Sequence, residues 1–154
     1  YPTGDLVTLC ETHDKFQMSN LHLSVPFEHT KRVLDELTTA GMKIAAVTSR
    51  TKPSSIKIVE LAGLLDYFDT FVSADDVQNH KPHPEPVLKA LKTLGIKQEK
   101  AIMIGDTSAD VGAGKNAKTK TIGVTYGFHG EKIRESEPDF VVDDIEDILK
   151  IILT

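Results

Sequence analysis

The sequence predicts an α/β fold in which a parallel sheet is covered by helices on both faces. Three observations predict it. Short apolar runs of strand type alternate with helical stretches from about residue 27 to the C-terminus. The runs are apolar along their whole length, as strands buried on both faces are. Helical stretches separate successive runs, which is the connection that parallel strands require.

The elements follow in order. Residues 27–40 have helical spacing, with Val33, Leu34 and Leu37 on one face and Gly41 as the stop. KIAAV (43–47) is a first strand. Residues 53–61 repeat the helical spacing through Ile56, Val59 and Glu60, with Pro53 in the first turn. DTFVS (69–73) is a second strand, and residues 85–94 form a helix closed by Gly95. A third strand (101–105) runs into a helix over 107–118. KTIGVT (120–125) and the short run 140–142 complete the strands. Asp143 and Asp144 are expected to cap a last helix through Ile145, Ile148, Leu149 and Ile152. The start is ambiguous. Leu6, Leu9, Cys10, His13 and Phe16 fit one face of a helix over 4–18, while Leu6 to Cys10 alone also fits a strand.

The 154 residues, 40% of them apolar, suit one core. A net charge of −5 argues against a nucleic-acid binder. No apolar run approaches a membrane span, and no charged segment precedes an apolar one at the start. A single cysteine, Cys10, excludes an internal disulfide and points to a reducing, cytoplasmic setting.

In a parallel sheet every strand ends on the same rim, where ligands bind. Thr48, Ser49 and Arg50 follow the first strand. HKPHPEP, carrying Lys81, follows the second. Gly105 and Asp106 follow the third, with Asp110 one helical turn on. Taken singly, Thr48 and Ser49 are helix caps, Lys81 a solvated lysine and the aspartates favourable charges at a helix start. Taken together they form a site for a phosphate and a divalent cation. Asp106 suits Mg²⁺, which prefers carboxylate oxygen. Asp110 lies at i+4 and would orient a metal-bound water. The Thr48 hydroxyl and Ser49 amide would donate to phosphate oxygens, and Lys81 would neutralise them.

AAVTSR, HKPHPEP and GDTSAD, in this order, resemble motifs two, three and four of the haloacid dehalogenase (HAD) superfamily. SADDVQNHKPHPEPVLKAL and VTYGFHGEKIRESEPDFVV are most similar to its phosphoglycolate phosphatase and pyrophosphatase branch. The resemblance implies a Rossmann-like HAD core over 23–154 and a Mg²⁺-dependent hydrolase of small phosphomonoesters, phosphoglycolate among them, acting through an aspartyl-phosphate. It assigns Lys81 and Asp106 to catalysis, Thr48, Ser49 and Lys81 to phosphate, and Asp106 and Asp110 to the metal.

The family's first motif, Asp-x-Asp-Gly-Thr after a strand, does not occur here: upstream of Thr48, Asp5, Asp14 and Asp35 stand alone. Three readings compete. The chain is a fragment, with residues 1–22 the remnant of a helical cap domain and LHLSVPFEHTKRVL the return to the core. Or Leu6–Cys10 takes the first-strand slot, with Cys10 or Glu11 at the nucleophile position. Or the chain is a catalytically silent module that binds phosphate or a partner. The fragment reading implies that the slot between KIAAV and AIMIG is filled by another chain or segment, unless those two strands pair directly.

Other features weigh less. His80 and His83 flank Lys81 without a third ligand for zinc. His129 follows the fourth strand and is a candidate substrate contact. Lys115, Lys118 and Lys120 read as a solvated face. GAGKNA lacks the Walker pattern. A phospho-acceptor receiver domain would need its acid pair near the start of the chain, where none stands.

Overall fold

A computed structural model describes residues 12, 15, 16 and 19–154. Five strands and five α-helices follow one another along 30–154: α1 (Thr30–Thr39), β1 (Ala45–Val47), α2 (Lys52–Leu61), β2 (Thr70–Val72), α3 (Glu85–Leu94), β3 (Ile102–Gly105), α4 (Ser108–Asn116), β4 (Lys120–Val124), β5 (Phe140–Val142) and α5 (Asp147–Ile152), with a 3-10 helix (Gly130–Ser136) between β4 and β5. All strand pairs are parallel. β1 pairs with β2, with Ala46 opposite Phe71. β3 pairs with β4, with Ile104 opposite Ile122, and β4 with β5, with Gly123 opposite Val141.

The ladders form two sheets, β1-β2 and β3-β4-β5. Among the described residues no ladder joins β1 to β3, so direct pairing of those strands is not how the expected slot is closed. The helices tie the halves together. Val87 and Leu91 of α3 and Ala113 of α4 form one buried cluster, against which Val47 of β1 and Met103 of β3 both pack. On the other face, Ile148 of α5 joins Ile122, Val124 and Val142 in a second cluster. Val33 and Leu37 of α1 meet Leu149 of α5 in a third. The expected α/β core, helices on both faces, is the fold observed.

Local chemistry explains the helix ends. α3 has Pro86 in its first turn and stops at Gly95, whose φ of 68° suits glycine. α1 starts at Thr30 rather than Phe27. His29 takes a φ of 64°, and the Thr30 hydroxyl donates to the Phe27 carbonyl (2.7 Å), so residues 27–29 form a turn. α4 ends at Asn116 rather than Lys118, because Lys118 itself turns left-handed at φ 60°. α5 starts at Asp147, one turn later than expected. Asp144 accepts from the Glu146 amide (2.8 Å) ahead of the helix, and Asp143 accepts from Thr125 Oγ1 and Arg134 instead.

Of the helix expected over 4–18, positions 12, 15 and 16 are helical. The rest of that expectation, including the alternative that puts Cys10 or Glu11 at the nucleophile position and most of the 1–22 cap segment, lies outside the described residues. Among the described residues no helix is long and apolar enough to cross a membrane.

Candidate active site

β1 and β2 run in one direction, so Val47 and Val72 end side by side, and β3 and β4 likewise bring Gly105 and Val124 together; Lys81 joins the two ends, bonding both Val47 and Asp110. The residues that follow them are held by short-range chemistry. Thr48 continues the ladder, its amide donating to the Val72 carbonyl (2.9 Å), and its hydroxyl oxygen accepts from the Arg50 amide (3.1 Å). Ser49 is exposed.

The loop after β2 is pinned at both ends. Ser73 and Asp76 form a reciprocal capping box, with the Asp76 carboxylate accepting from the Ser73 amide (3.0 Å) and hydroxyl (2.7 Å). Those bonds hold Asp76 at a pKa of about 2. At the far end, the Glu85 carboxylate reaches back to the Gln78 amide (2.9 Å), the Asn79 amide (3.0 Å) and Asn79 Nδ2 (2.8 Å). These bonds lower the Glu85 pKa, the Gln78 amide most strongly. His83 Nδ1 accepts from the Glu85 amide (3.2 Å) and His80 is exposed, so both act within the loop.

That loop delivers Lys81 inward. Its side chain is only 10% exposed, and its ammonium donates to the Val47 carbonyl (2.9 Å) and to Asp110 Oδ1 (2.6 Å). The Val47 carbonyl is the one at the end of β1 that faces away from β2. Ile44 O and Thr48 N bond toward β2, and the polar groups of successive residues in a strand alternate sides. One ammonium therefore bonds the last carbonyl on that edge of β1 and reaches the first turn of α4, the helix that follows β3.

Asp110 is equally committed. Its second oxygen accepts from the Thr107 amide (3.1 Å) and hydroxyl (2.6 Å), while the Asp110 amide donates to Thr107 Oγ1 (3.2 Å), a second capping box. Gly105 makes the close approach possible: a Cβ there would lie 2.2 Å from Asp110 Cβ. Lys81 and Asp110 thus form a charge-assisted bond with little water around it.

Asp106 faces a different neighbour, the turn after β4. Its Oδ2 accepts from the Phe128 amide (2.7 Å) and its carbonyl from the His129 amide (3.2 Å). Its Oδ1 has no protein partner among the described residues. Nor does any hydrogen bond or ion pair there link Asp106 to Asp110 or Lys81. Burial first, then the Asp144 and Asp106 carboxylates, push the Tyr126 phenol up to about 12, so it stays protonated.

Lys81 and Asp110 therefore meet directly, at the end of the strand that leads into Thr48. Asp106 is adjacent in chain to the same capping turn, and Ser49 stands at the exposed edge. Sequence reasoning missed the Val47 carbonyl, the Phe128 amide and Glu85. The first two are backbone groups with no residue-type signal. The Thr107-x-x-Asp110 box was readable as a capping pattern.

The chemistry of the donors bears on a cation. Mg²⁺ takes oxygen ligands, keeps several waters and needs only one or two protein carboxylates. Asp106 offers an uncommitted oxygen on the rim. Asp110 has none uncommitted, and no group of three or more His, Cys, Asp or Glu suited to a metal occurs among the described residues. The described residues fit a cation held by one carboxylate, with further ligands from elsewhere.

Comparison with known proteins identifies the family. The family model for haloacid dehalogenase-like hydrolases matches residues 5–124. The pyrophosphatase PpaX of Halalkalibacterium halodurans is 40% identical over 141 residues, covering 91% of this chain and 62% of that protein. A phosphoglycolate phosphatase of Salmonella choleraesuis is 37% identical, over 80% of this chain and 49% of that protein. The chain thus spans roughly half to three-fifths of the length of such curated relatives. Among solved structures, a predicted phosphoglycolate phosphatase from Haemophilus somnus superposes with a TM-score of 0.78 at 28% identity, over 81% of this chain and 56% of that one. A HAD phosphatase from Thermococcus onnurineus gives 0.78 at 27% identity, over 91% and 64%. With the rim residues in the order of the family's motifs and the family model spanning most of the sequence, the chain belongs to the haloacid dehalogenase-like hydrolases.

Proposed function

We propose that the protein of which this chain forms part is a Mg²⁺-dependent phosphatase of small phosphomonoesters, phosphoglycolate-like in class. The observation that carries the proposal is Lys81. A lysine drawn from a loop into a buried position, bonded to the end of β1 and the start of α4, supports the reading that its charge neutralises a phosphoryl group. An ammonium has three protons. Two are used on Val47 and Asp110, and the third is available to a phosphate oxygen or an attacking carboxylate.

In this reading Thr48 and Ser49 bind the phosphoryl group at the end of β1. Asp106 ligates the cation through its free oxygen. Asp110 holds Lys81 in place, and would support the cation's water shell only by giving up a bond. The cation, when bound, supplies charge neutralisation at the transferring phosphoryl oxygens. The phosphoryl-accepting aspartate is not among these residues, since no Asp-x-Asp precedes Thr48. It is proposed to arrive on the strand that fills the space between β1 and β3, from an upstream segment or another chain, with residues 1–22 the return from a cap domain.

The test is phosphate release by the protein with its natural upstream segment, against phosphoglycolate, other phosphomonoesters and pyrophosphate, with and without Mg²⁺. The expected result is Mg²⁺-dependent turnover of a phosphomonoester, abolished by Lys81→Ala and by Asp106→Asn. Turnover of pyrophosphate alone would correct the substrate class. No turnover of any substrate would favour the silent binding module, and near wild-type rates in either variant would overturn that residue's role.

A further inference from the structure

We infer that the turn from Tyr126 to Gly130 is a clamp that fixes the Asp106 carboxylate, and that Gly127 and His129 are positioning residues for it. Two backbone donors of this turn fasten onto Asp106: the Phe128 amide onto Oδ2 (2.7 Å) and the His129 amide onto the carbonyl (3.2 Å). A third bond runs the other way. The Ser108 amide, one of the unpaired donors at the start of α4, donates to His129 Nδ1 (3.2 Å). His129 thus occupies a capping role normally filled by Ser, Thr, Asp or Asn, and it does so from 21 residues away. The turn is joined both to Asp106 and to the helix start two residues beyond it.

Gly127 lets the turn come this close. A Cβ there would lie 2.2 Å from Asp106 Cβ and 2.5 Å from Oδ2, a distance no side-chain adjustment relieves while Asp106 stays where it is. The clamp occupies Oδ2 and leaves Oδ1 without a bond among the described residues. A carboxylate held by one oxygen has its other oxygen aimed, which is what a ligand to a hard cation needs. His129 is therefore assigned here to holding Asp106, not to touching substrate.

This inference rests on the proposal that Asp106 ligates Mg²⁺, and two readouts separate the failure of one from the failure of the other. The first needs no metal. With Nδ1 accepting a backbone N–H, the neutral imidazole carries its proton on Nε2. Nitrogen NMR of the imidazole of His129 in the protein with its upstream segment should show that tautomer, and the Asp106 carboxyl carbon resonance should move in Gly127→Ala. The opposite tautomer, or an unmoved resonance, would overturn the clamp.

The second readout is Mg²⁺ affinity by calorimetry. Loss of a supporting partner should weaken binding about tenfold in His129→Ala, and up to about a hundredfold in Gly127→Ala. His129→Asn places an acceptor where Nδ1 stood and should recover most of the loss. His129→Gln, whose acceptor sits farther out, should resemble His129→Ala. Equal affinity in wild type and His129→Ala, or equal weakening by Asn and Gln, would reduce His129 to a packing role and overturn its assignment. If Asp106→Asn binds Mg²⁺ as wild type does, the metal reading fails, and the clamp is then decided by the NMR result alone.

Discussion

Strands of similar apolar composition are buried to different depths in this molecule. In β4, every residue from Thr121 to Val124 is buried; in β1 and β3, every residue is only half-buried. Sequence does not separate them, since KTIGV and IMIG are both apolar runs. The difference is in their edges. Among the described residues β4 has a partner on each side, whereas β1 and β3 each have one. A strand becomes core only when both its edges and both its faces are covered. The edge of β1 that faces away from β2 is where Lys81 works, bonding the carbonyl of Val47.

The largest test of this contrast is Lys81→Met. It leaves Asp110 nearly buried and unpaired and the Val47 carbonyl without its donor. Breaking such a pair costs about 3–5 kcal/mol, read by denaturant unfolding. Adding Asp110→Asn removes the stranded charge and should return part of the loss. If Lys81→Met costs almost nothing, the edge is held by something else and the bridging role of Lys81 is wrong.

A smaller test uses the register partners Ile104 and Ile122, same residue and same cluster on adjacent strands. Ile122 is fully buried, and Ile122→Ala should cost about 3–4 kcal/mol. Ile104→Ala, half-buried on β3, should cost about half as much by the same measurement. The gap between the two should narrow in the protein with its upstream segment, if that segment covers the edge of β3. Equal costs in this chain alone would mean that the edge of β3 is already covered.

How far the sequence reveals this arrangement depends on the range of the interactions. Residues 85–94 and 140–142 are read to the residue, because Gly95 and the flanking polar residues mark their limits locally. The ends at Phe27 and Lys118 are misread because His29 and Lys118 adopt left-handed conformations that glycine usually takes, and the one at Asp143 because Asp143 and Asp144 accept hydrogen bonds ahead of the helix or from other elements. Short turns such as Leu65–Tyr67 and Gln98–Lys100 leave no periodicity to detect. At the site, Lys81 and Asp110 are each legible as rim residues. Their pairing spans 29 residues, and its third member is a backbone carbonyl. Spacing rules cover neighbours on one element and cannot see such contacts.

The smallest expected effect concerns how the two halves are held. The β3-β4-β5 half rests on the cluster of Ile122, Val124, Val142 and Ile148, with Asp139 on Thr121 as a pin whose carboxylate titrates below its ordinary value. The β1-β2 half and its loop carry three pins of that kind: Asp69 on the Ile44 amide, Asp76 on Ser73, and Glu85 on Gln78 and Asn79. All three carboxylates titrate below their ordinary values. Acid should therefore loosen the β1-β2 half more. Asp76 gives the sign. Its folded pKa is lowered from 3.8 to about 2, so its contribution is complete above about pH 4 and disappears as the pH falls through 2. Asp76→Asn should destabilise the chain by roughly 1–2 kcal/mol at pH 7, after allowance for its partial exposure. The difference from wild type should shrink steadily between pH 4 and pH 2. Unfolding curves for both proteins across that range decide it. A difference that stays constant with pH would show that Asp76 acts through shape and not charge, and the acid-sensitive half would then have to be sought in Asp69 and Glu85.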